Sequence, residues 1–242
     1  MLPALVPITV VPLPTVNIWS AHLDSFSPAE IQRLTSYLSN AEAARAQRFH
    51  FESDKRHYVI SHGLIRHLLG ATLNRLPQEL AFQYGPYGKP TLAPEFSVTR
   101  SLCFNLSHSA GWAMFALSWE REIGIDLESA CRLKGNATNL SALAARVLAP
   151  REMIIWETLS DSGEREGAFL RAWTRKEAYA KAKGEGIFTN LSSIEVVLDM
   201  LAPRASLTLT SRRADGESEQ EWVLHDLPAP HEFAAAIVVS HS

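Results

Sequence analysis

Two cysteines in 242 residues, Cys103 and Cys131, are too few for a disulfide framework and lack the spacing of metal ligands. A reduced, cytoplasmic protein is the default reading. No later stretch is long enough and apolar enough to cross a bilayer. The apolar opening, MLPALVPITVVPLPTV (1–16), has no basic n-region, and Pro3, Pro7, Pro12 and Pro14 break the helix that a signal peptide needs. An excess of basic charge is also missing. The chain carries 23 Lys+Arg against 26 Asp+Glu, and 9 against 8 up to residue 120. Nothing in that balance points to nucleic acid or an anionic membrane, so any basic site is local. Low-complexity tracts and evident repeats are missing too. What is present is 46% hydrophobic and 20% charged, enough to bury a core in one large domain or two small ones.

Periodicity and punctuation outline an α+β chain in two similar-sized lobes. VNIWSAHL (16–23) reads as a strand. SPAE (27–30) is a capping box with proline at the first helical position, opening a helix through Leu38. A short helix is expected over Ala41–Phe49, and a longer one over Asp54–Leu69 with Ser53 as N-cap and Gly70 just past its end. Its apolar stripe is Ile60, Leu64, Ile65 and Leu68, with Lys55, His62 and Arg66 roughly opposite. YGPYGKP (84–90) is turn-rich. CFNL (103–106) and WAMFALS (112–118) read as buried strands joined by SHSAG, and EIGIDLE (122–128) as another. Helices are expected over 140–146, 150–159 and 168–183, then strands near 194–200, 206–210, 221–225 and 233–239, with a turn at Asp215–Gly216.

Five stretches could carry chemistry. In GIDLE, residues two apart share a strand face, so Asp126 and Glu128 stand side by side while Ile125 and Leu127 face the core. Adjacent carboxylates repel unless a cation lies between them, and Mg²⁺ takes one or two carboxylates with waters and phosphate oxygens. Taken alone, the stretch reads equally well as an edge strand with solvated acids. In WTRKEAYAKAKGEG (173–186), Glu177 and Lys181 are four apart, the spacing of a helix-stabilising surface pair. The same spacing puts a proton acceptor and a cation on one face. Trp173 extends that stripe as an anchor, Arg175 and Lys176 point elsewhere, toward solvent or a partner, and Gly184 and Gly186 end the helix. FNLSHSAG (104–111) sets Ser107 beside His108, but a catalytic serine needs a base positioned in space, and no G-x-S-x-G elbow exists. A turn with a hydroxyl, an imidazole and free N–H groups suits anion binding instead. In YGPYGKP, Gly88 lets the backbone approach a ligand and Lys89 is a point charge for phosphate. Arg45, Arg48, Lys55, Arg56 and His57 form a local basic series interrupted by Glu42, Glu52 and Asp54. Three carboxylates for one divalent ion, with several cations for phosphates, describe a site for a phosphate-rich substrate.

The order GKP, FNLSHS, GIDLE, WTRKEAYAK resembles the 4′-phosphopantetheinyl transferases, specifically their long, surfactin-synthetase-activator (Sfp-type) group, over about residues 16–240. The resemblance implies a pseudodimer of two α+β lobes with the active site between them: a Pro-rich extension over 1–15, an N-terminal lobe over 16–120 and a C-terminal lobe over 121–242. It implies a monomer that transfers the phosphopantetheine arm of coenzyme A to a serine of an acyl or peptidyl carrier protein, releasing 3′,5′-ADP. Asp126, Glu128 and Glu177 match ligands of Mg²⁺, for which Mn²⁺ could substitute. Glu177 matches the base for the carrier serine, and Lys181 the lysine that neutralises the leaving phosphate. Lys89, Ser107 and His108 match coenzyme A contacts, Tyr87 and Gly88 the loop beside the adenosine, and Arg45 and Arg56 basic residues for phosphate. Glu42 departs from the pattern, standing where some relatives carry a second lysine. Two other readings use the same residues: a non-catalytic protein that binds coenzyme A or a carrier, and a metal-dependent coenzyme A hydrolase with water in place of the serine.

Overall fold

The computed structural model describes residues 5–8, 13, 15–96, 100–134, 140–184, 190–196, 206–212 and 219–241, with the backbone alone for Arg132, Lys134, 206–212 and Glu219. Gly186, residues 197–200 and Asp215–Gly216 lie outside them. Strands β1 (Val6–Ile8) and β2 (Val16–His22) open the chain, followed by helices α1 (Pro28–Thr35), α2 (Asn40–Ala46) and α3 (Glu52–Leu73). A small hairpin, β3 (Phe82–Tyr84) and β4 (Pro90–Leu92), precedes β5 (Leu102–Ser109), β6 (Trp112–Trp119) and β7 (Ile123–Ser129). Then come α4 (Cys131–Lys134), α5 (Leu140–Val147), α6 (Pro150–Thr158) and α7 (Ser162–Lys183), and strands β8 (Ser206–Arg212), β9 (Glu219–Asp226) and β10 (Phe233–Ser240).

Two four-stranded antiparallel sheets, ordered β1-β2-β6-β5 and β7-β10-β9-β8, hold the fold together. Strand alternation decides which residues meet. Ile18, Met114 and Ala116 from the first sheet pack with Ile123, Ile125, Leu127, Ile237 and Val239 from the second. The opposite faces each take a 22-residue helix. Ala113, Phe115 and Leu117 receive Ile60, Leu64 and Leu68 of α3. Trp222, Leu224, Ala236 and Val238 receive Phe169, Ala172 and Tyr179 of α7. The order is helix, sheet, sheet, helix, an α+β fold of two similar units as the sequence implied. Each fully buried Leu, Ile or Phe in these layers contributes about 1.5–3 kcal/mol.

Several boundaries differ from expectation for physical reasons. The α1 capping box forms as read, with the Ser27 side chain on the Glu30 amide and Glu30 returning to Ser27, but the helix ends at Thr35 rather than Leu38. Helix α3 starts at Glu52, with Phe51 rather than Ser53 at the N-cap, and runs past Gly70 to a left-handed Asn74. Gly70 is there because the chain doubles back: a Cβ would stand 2.8 Å from the Arg75 carbonyl oxygen. Arg66 is not on a solvated face. It is 2% exposed, and its guanidinium donates to Glu42 and to the Pro77 and Leu80 carbonyls. Helix α7 begins six residues earlier than expected, because Asp161 caps it through the Glu164 amide. Gly184, at φ 72°, ends it. Residues 191–193 form a 3₁₀ turn, and 194–196, the described start of the strand expected near 194–200, are not in a strand. No helix among the described residues is long and apolar enough to cross a membrane.

Candidate active site

The site is built where α7 lies on β7. Gly124 makes that contact possible. A Cβ there would collide with the Ala178 carbonyl and the Ala182 amide and come within 2.9 Å of the Ala182 Cα. Only glycine lets the helix backbone sit directly on the strand. Asp126 and Glu128 follow on the same strand face.

Helix α7 is buried on most of its surface from Ala168 onward. From Ala172 to Ala182 every residue is buried except Trp173, Glu177 and Lys181, spaced four apart on one stripe. Trp173 packs against the core with its ring 5.6 Å from Phe169. Arg175 and Lys176, expected to face solvent or a partner, are both 0% exposed. Arg175 makes a two-pronged pair with Asp226, at 2.8 and 2.6 Å. Lys176 donates to the Val147 and Leu191 carbonyls and stands 2.6 Å from Glu152. Burial pushes the Lys176 ammonium below its usual range, with Glu152 opposing. Both are anchors that fix how α7 is rotated about its axis. The sequence reading missed them because their partners lie 51 and 24 positions away.

With α7 locked, Lys181 Nζ reaches Asp126 Oδ1 at 2.6 Å and Ser107 Oγ at 3.0 Å. Ser107 in turn donates to Asp126 Oδ1 at 2.9 Å. Asp126 is 2% exposed, and its second oxygen, Oδ2, is buried with no hydrogen-bond partner among the described residues. Ser109 Oγ donates to Glu128 Oε2 at 3.1 Å. Among the described residues no three His, Cys, Asp or Glu side chains form a ready-made metal cluster. The oxygen-only donor set and the partnerless Asp126 Oδ2 nonetheless fit Mg²⁺, which keeps several waters and dispenses with an all-protein cage.

Ser107 and His108 were read as a turn, but both belong to β5. The turn is the two-residue Ala110–Gly111 pair, with both φ angles positive at 43° and 79°. Ser107 is thereby buried and turned toward Asp126, while His108 is exposed. Asn105 and Ser109, on the same β5 face, also bridge to β7 and were not singled out from sequence. Their alternation with apolar residues in FNLSHS was the available signal.

The remaining expected contacts lie around this centre. Lys89 Nζ donates to Glu122 Oε2 at 2.6 Å and to the Ala182 carbonyl at 2.7 Å, tying the 84–90 loop to the end of α7. Gly88 has φ 84°, and a Cβ there would meet nothing within 4 Å. Tyr87 beside it is 52% exposed. The Arg45 guanidinium lies 5.6 Å from the Tyr58 ring centre. Burial, then the Glu42 charge, pushes the Tyr58 phenol up to about 12, so it stays neutral. Arg56 turns inward, donating to the Asp24 and Phe26 carbonyls. A cleft of about 570 Å³ between α1, α2 and the start of α3 includes Arg56 but none of Asp126, Glu128, Glu177 or Lys181. Glu42 is the α2 capping-box carboxylate, accepting from Ser39 and paired with Arg66 at 2.7 Å. Its place among basic residues has a structural cause. Neither cysteine enters the site chemistry: both are free thiols, and burial pushes Cys103 above the usual thiol range.

Similarity to known proteins gives the family of the chain. Residues 122–238 match the 4′-phosphopantetheinyl transferase superfamily, and residues 25–120 match the family described as 4′-phosphopantetheinyl transferase, N-terminal. The chain is 35% identical over 225 residues to the 4′-phosphopantetheinyl transferase HetI of a Nostoc species, covering 93% of this chain and 87% of the relative. A putative 4′-phosphopantetheinyl transferase of a Synechocystis species is 36% identical, covering 89% of this chain and 81% of the relative. The human L-aminoadipate-semialdehyde dehydrogenase-phosphopantetheinyl transferase is 28% identical, covering 92% and 70%. The chain belongs to the 4′-phosphopantetheinyl transferase family, in its long group, and is an enzyme of that class.

Proposed function

We propose that this enzyme moves the 4′-phosphopantetheine arm of coenzyme A onto a serine hydroxyl of an apo acyl or peptidyl carrier protein, giving holo carrier and 3′,5′-ADP, with Mg²⁺ held by Asp126, Glu128 and Glu177. Phosphopantetheinyl transfer to carrier proteins from coenzyme A is the reaction of its family. The observation that carries the finer reading is Asp126 Oδ2, buried and without a hydrogen-bond partner among the described residues, while Oδ1 takes Ser107 and Lys181. A buried carboxylate oxygen left bare is costly unless a cation joins it. When bound, Mg²⁺ supplies charge that screens the pyrophosphate and stabilises the leaving oxygen.

The chain's own residues do the rest. Glu177, on the accessible stripe of α7, takes the proton of the carrier serine, directly or through one water. The serine oxygen bonds the phosphorus that carries the pantetheine arm, and the bond from that phosphorus to the bridging oxygen breaks. Lys181, one turn on, neutralises the 3′,5′-ADP phosphate as its charge grows. Lys89 holds its ammonium with two acceptors and has a third N–H for a coenzyme A phosphate. In this reading Ser107 contributes through Asp126 from the buried face of β5 and His108 from the exposed face. Tyr87 and Gly88 border the adenosine, and Arg45 adds positive charge for the phosphates, whereas Arg56 would have to leave the Asp24 and Phe26 carbonyls to do so. The protein acts as a monomer in this reading.

The test separates transfer from hydrolysis. Coenzyme A and Mg²⁺ are incubated with the enzyme with and without an apo carrier, and 3′,5′-ADP is measured by chromatography. Release that requires both carrier and Mg²⁺ supports the proposal. Release of free phosphopantetheine without carrier supports the hydrolase, and release unaffected by chelator removes the metal from the account.

A further inference from the structure

Strands β5 and β7 are neighbouring edges of different sheets, and side chains rather than a backbone ladder join them. Asn105 Oδ1 accepts from the Ile125 amide at 2.9 Å. Ser107 donates to Asp126 at 2.9 Å. Ser109 Oγ accepts from the Ser129 amide at 3.2 Å while donating to Glu128 Oε2 at 3.1 Å. All three are 6% exposed, and they recur every second residue on one face of β5. Asn105 and Ser109 thus grip the β7 backbone on either side of the two carboxylates, and Ser109 also fixes one carboxylate itself. Water at so buried a hydroxyl is a poor competitor, so these bonds hold their geometry.

We propose that Ser109 is a positioning residue for the transfer reaction, holding the Glu128 carboxylate and the β7 backbone behind it in the orientation that receives Mg²⁺. The proposal rests on the reading of Glu128 as a metal ligand. Hydrogen-bond partners of ligating carboxylates set ligand direction, and their removal weakens metal affinity by about 10–100-fold. A merely structural serine would move stability and leave metal affinity unchanged.

The experiment is a titration of the free enzyme with Mn²⁺, followed by electron paramagnetic resonance without coenzyme A, with thermal unfolding measured in parallel. Wild type is compared with Ser109→Ala, Ser109→Thr, Ser109→Cys and Glu128→Gln. The expected result is Mn²⁺ affinity lowered about 10–100-fold in Ser109→Ala, recovered in Ser109→Thr, and lost in Glu128→Gln. Ser109→Cys keeps nearly the same volume with weaker hydrogen bonds, so it gives the same reading if the alanine variant does not fold. Wild-type affinity in Ser109→Ala or Ser109→Cys, with Glu128→Gln defective, overturns the positioning role and leaves Glu128 as ligand. Wild-type affinity in Glu128→Gln overturns both.

Discussion

Lys181 on α7 and Asp126 on β7 meet at 2.6 Å, although 55 residues separate them. Asp126 is nearly inaccessible, whereas the Lys181 side chain is 29% exposed. The pair therefore joins a buried anchor to a partly exposed cation at the edge of the helix–strand contact. Gly124 brings the backbones together, and the buried Arg175 and Lys176 set the helix rotation that aims Lys181.

Lys181→Ala removes the cation from a buried carboxylate. Transfer is expected to fall about 100–1,000-fold in kcat, the range for losing one charge-stabilising donor. Stability should fall as well, and adding Asp126→Asn should restore stability without restoring transfer. Chemical denaturation and single-turnover kinetics on both variants check this. Restored activity in the double variant would contradict the assignment.

Gly124→Ala places a methyl group against the backbone of α7. Overpacking of this kind costs about 1–3 kcal/mol, and backbone neighbours that cannot rotate away put this case at the upper end. Urea unfolding measures the cost. A variant as stable and active as wild type would mean that α7 does not lie on β7 as closely as found.

Lys176→Ala strips the partner from Glu152, itself 0% exposed. Breaking a buried pair on one side costs about 3–5 kcal/mol. Glu152 retains the Ala149 and Val196 amides, so the lower part of that range is expected. Equilibrium unfolding gives the value, and a change below about 0.5 kcal/mol, typical of exposed surface sites, would return Lys176 to the solvated face that its sequence context suggests.

Glu42 supplies a pH signature. Burial raises its pKa, but His62, the Ser39 amide and hydroxyl, and Arg66 together outweigh burial and bring it down to about 2 from an ordinary 4.5. A carboxylate depressed in the folded state stabilises fully above its unfolded pKa and loses that contribution as pH falls through the folded one. On the order of 3 kcal/mol should vanish between about pH 5 and pH 2. Glu42→Gln should show a shallower fall in stability over that window. Equal slopes in the two proteins would show that Glu42 titrates normally.

Local signals in the sequence carried far, and their limits have a common cause. The i, i+4 spacing of Trp173, Glu177 and Lys181 marked the accessible stripe of α7 between Ala172 and Ala182, and the alternation in GIDLE put Asp126 and Glu128 on one face. Both patterns depend on a single element's geometry. Arg175, Lys176 and Arg66 looked like surface charge because nothing local reveals Asp226, Glu152 or Glu42 waiting across the fold. Ser107 and His108 looked like a turn because Ser, His and Gly favour turns, yet β5 extends through Ser109 once Asn105, Ser107 and Ser109 find acceptors and donors on β7. Glu42 looked misplaced in a phosphate clamp, while its capping-box spacing from Ser39 was readable three residues away.

The most direct measurement is the intact mass of an apo carrier protein after incubation with this enzyme, coenzyme A and Mg²⁺. A gain of one phosphopantetheine on the carrier, abolished by chelator and by Glu177→Gln, is the predicted result. A carrier whose mass stays unchanged across fatty-acid and peptidyl types, with coenzyme A intact, would contradict the account.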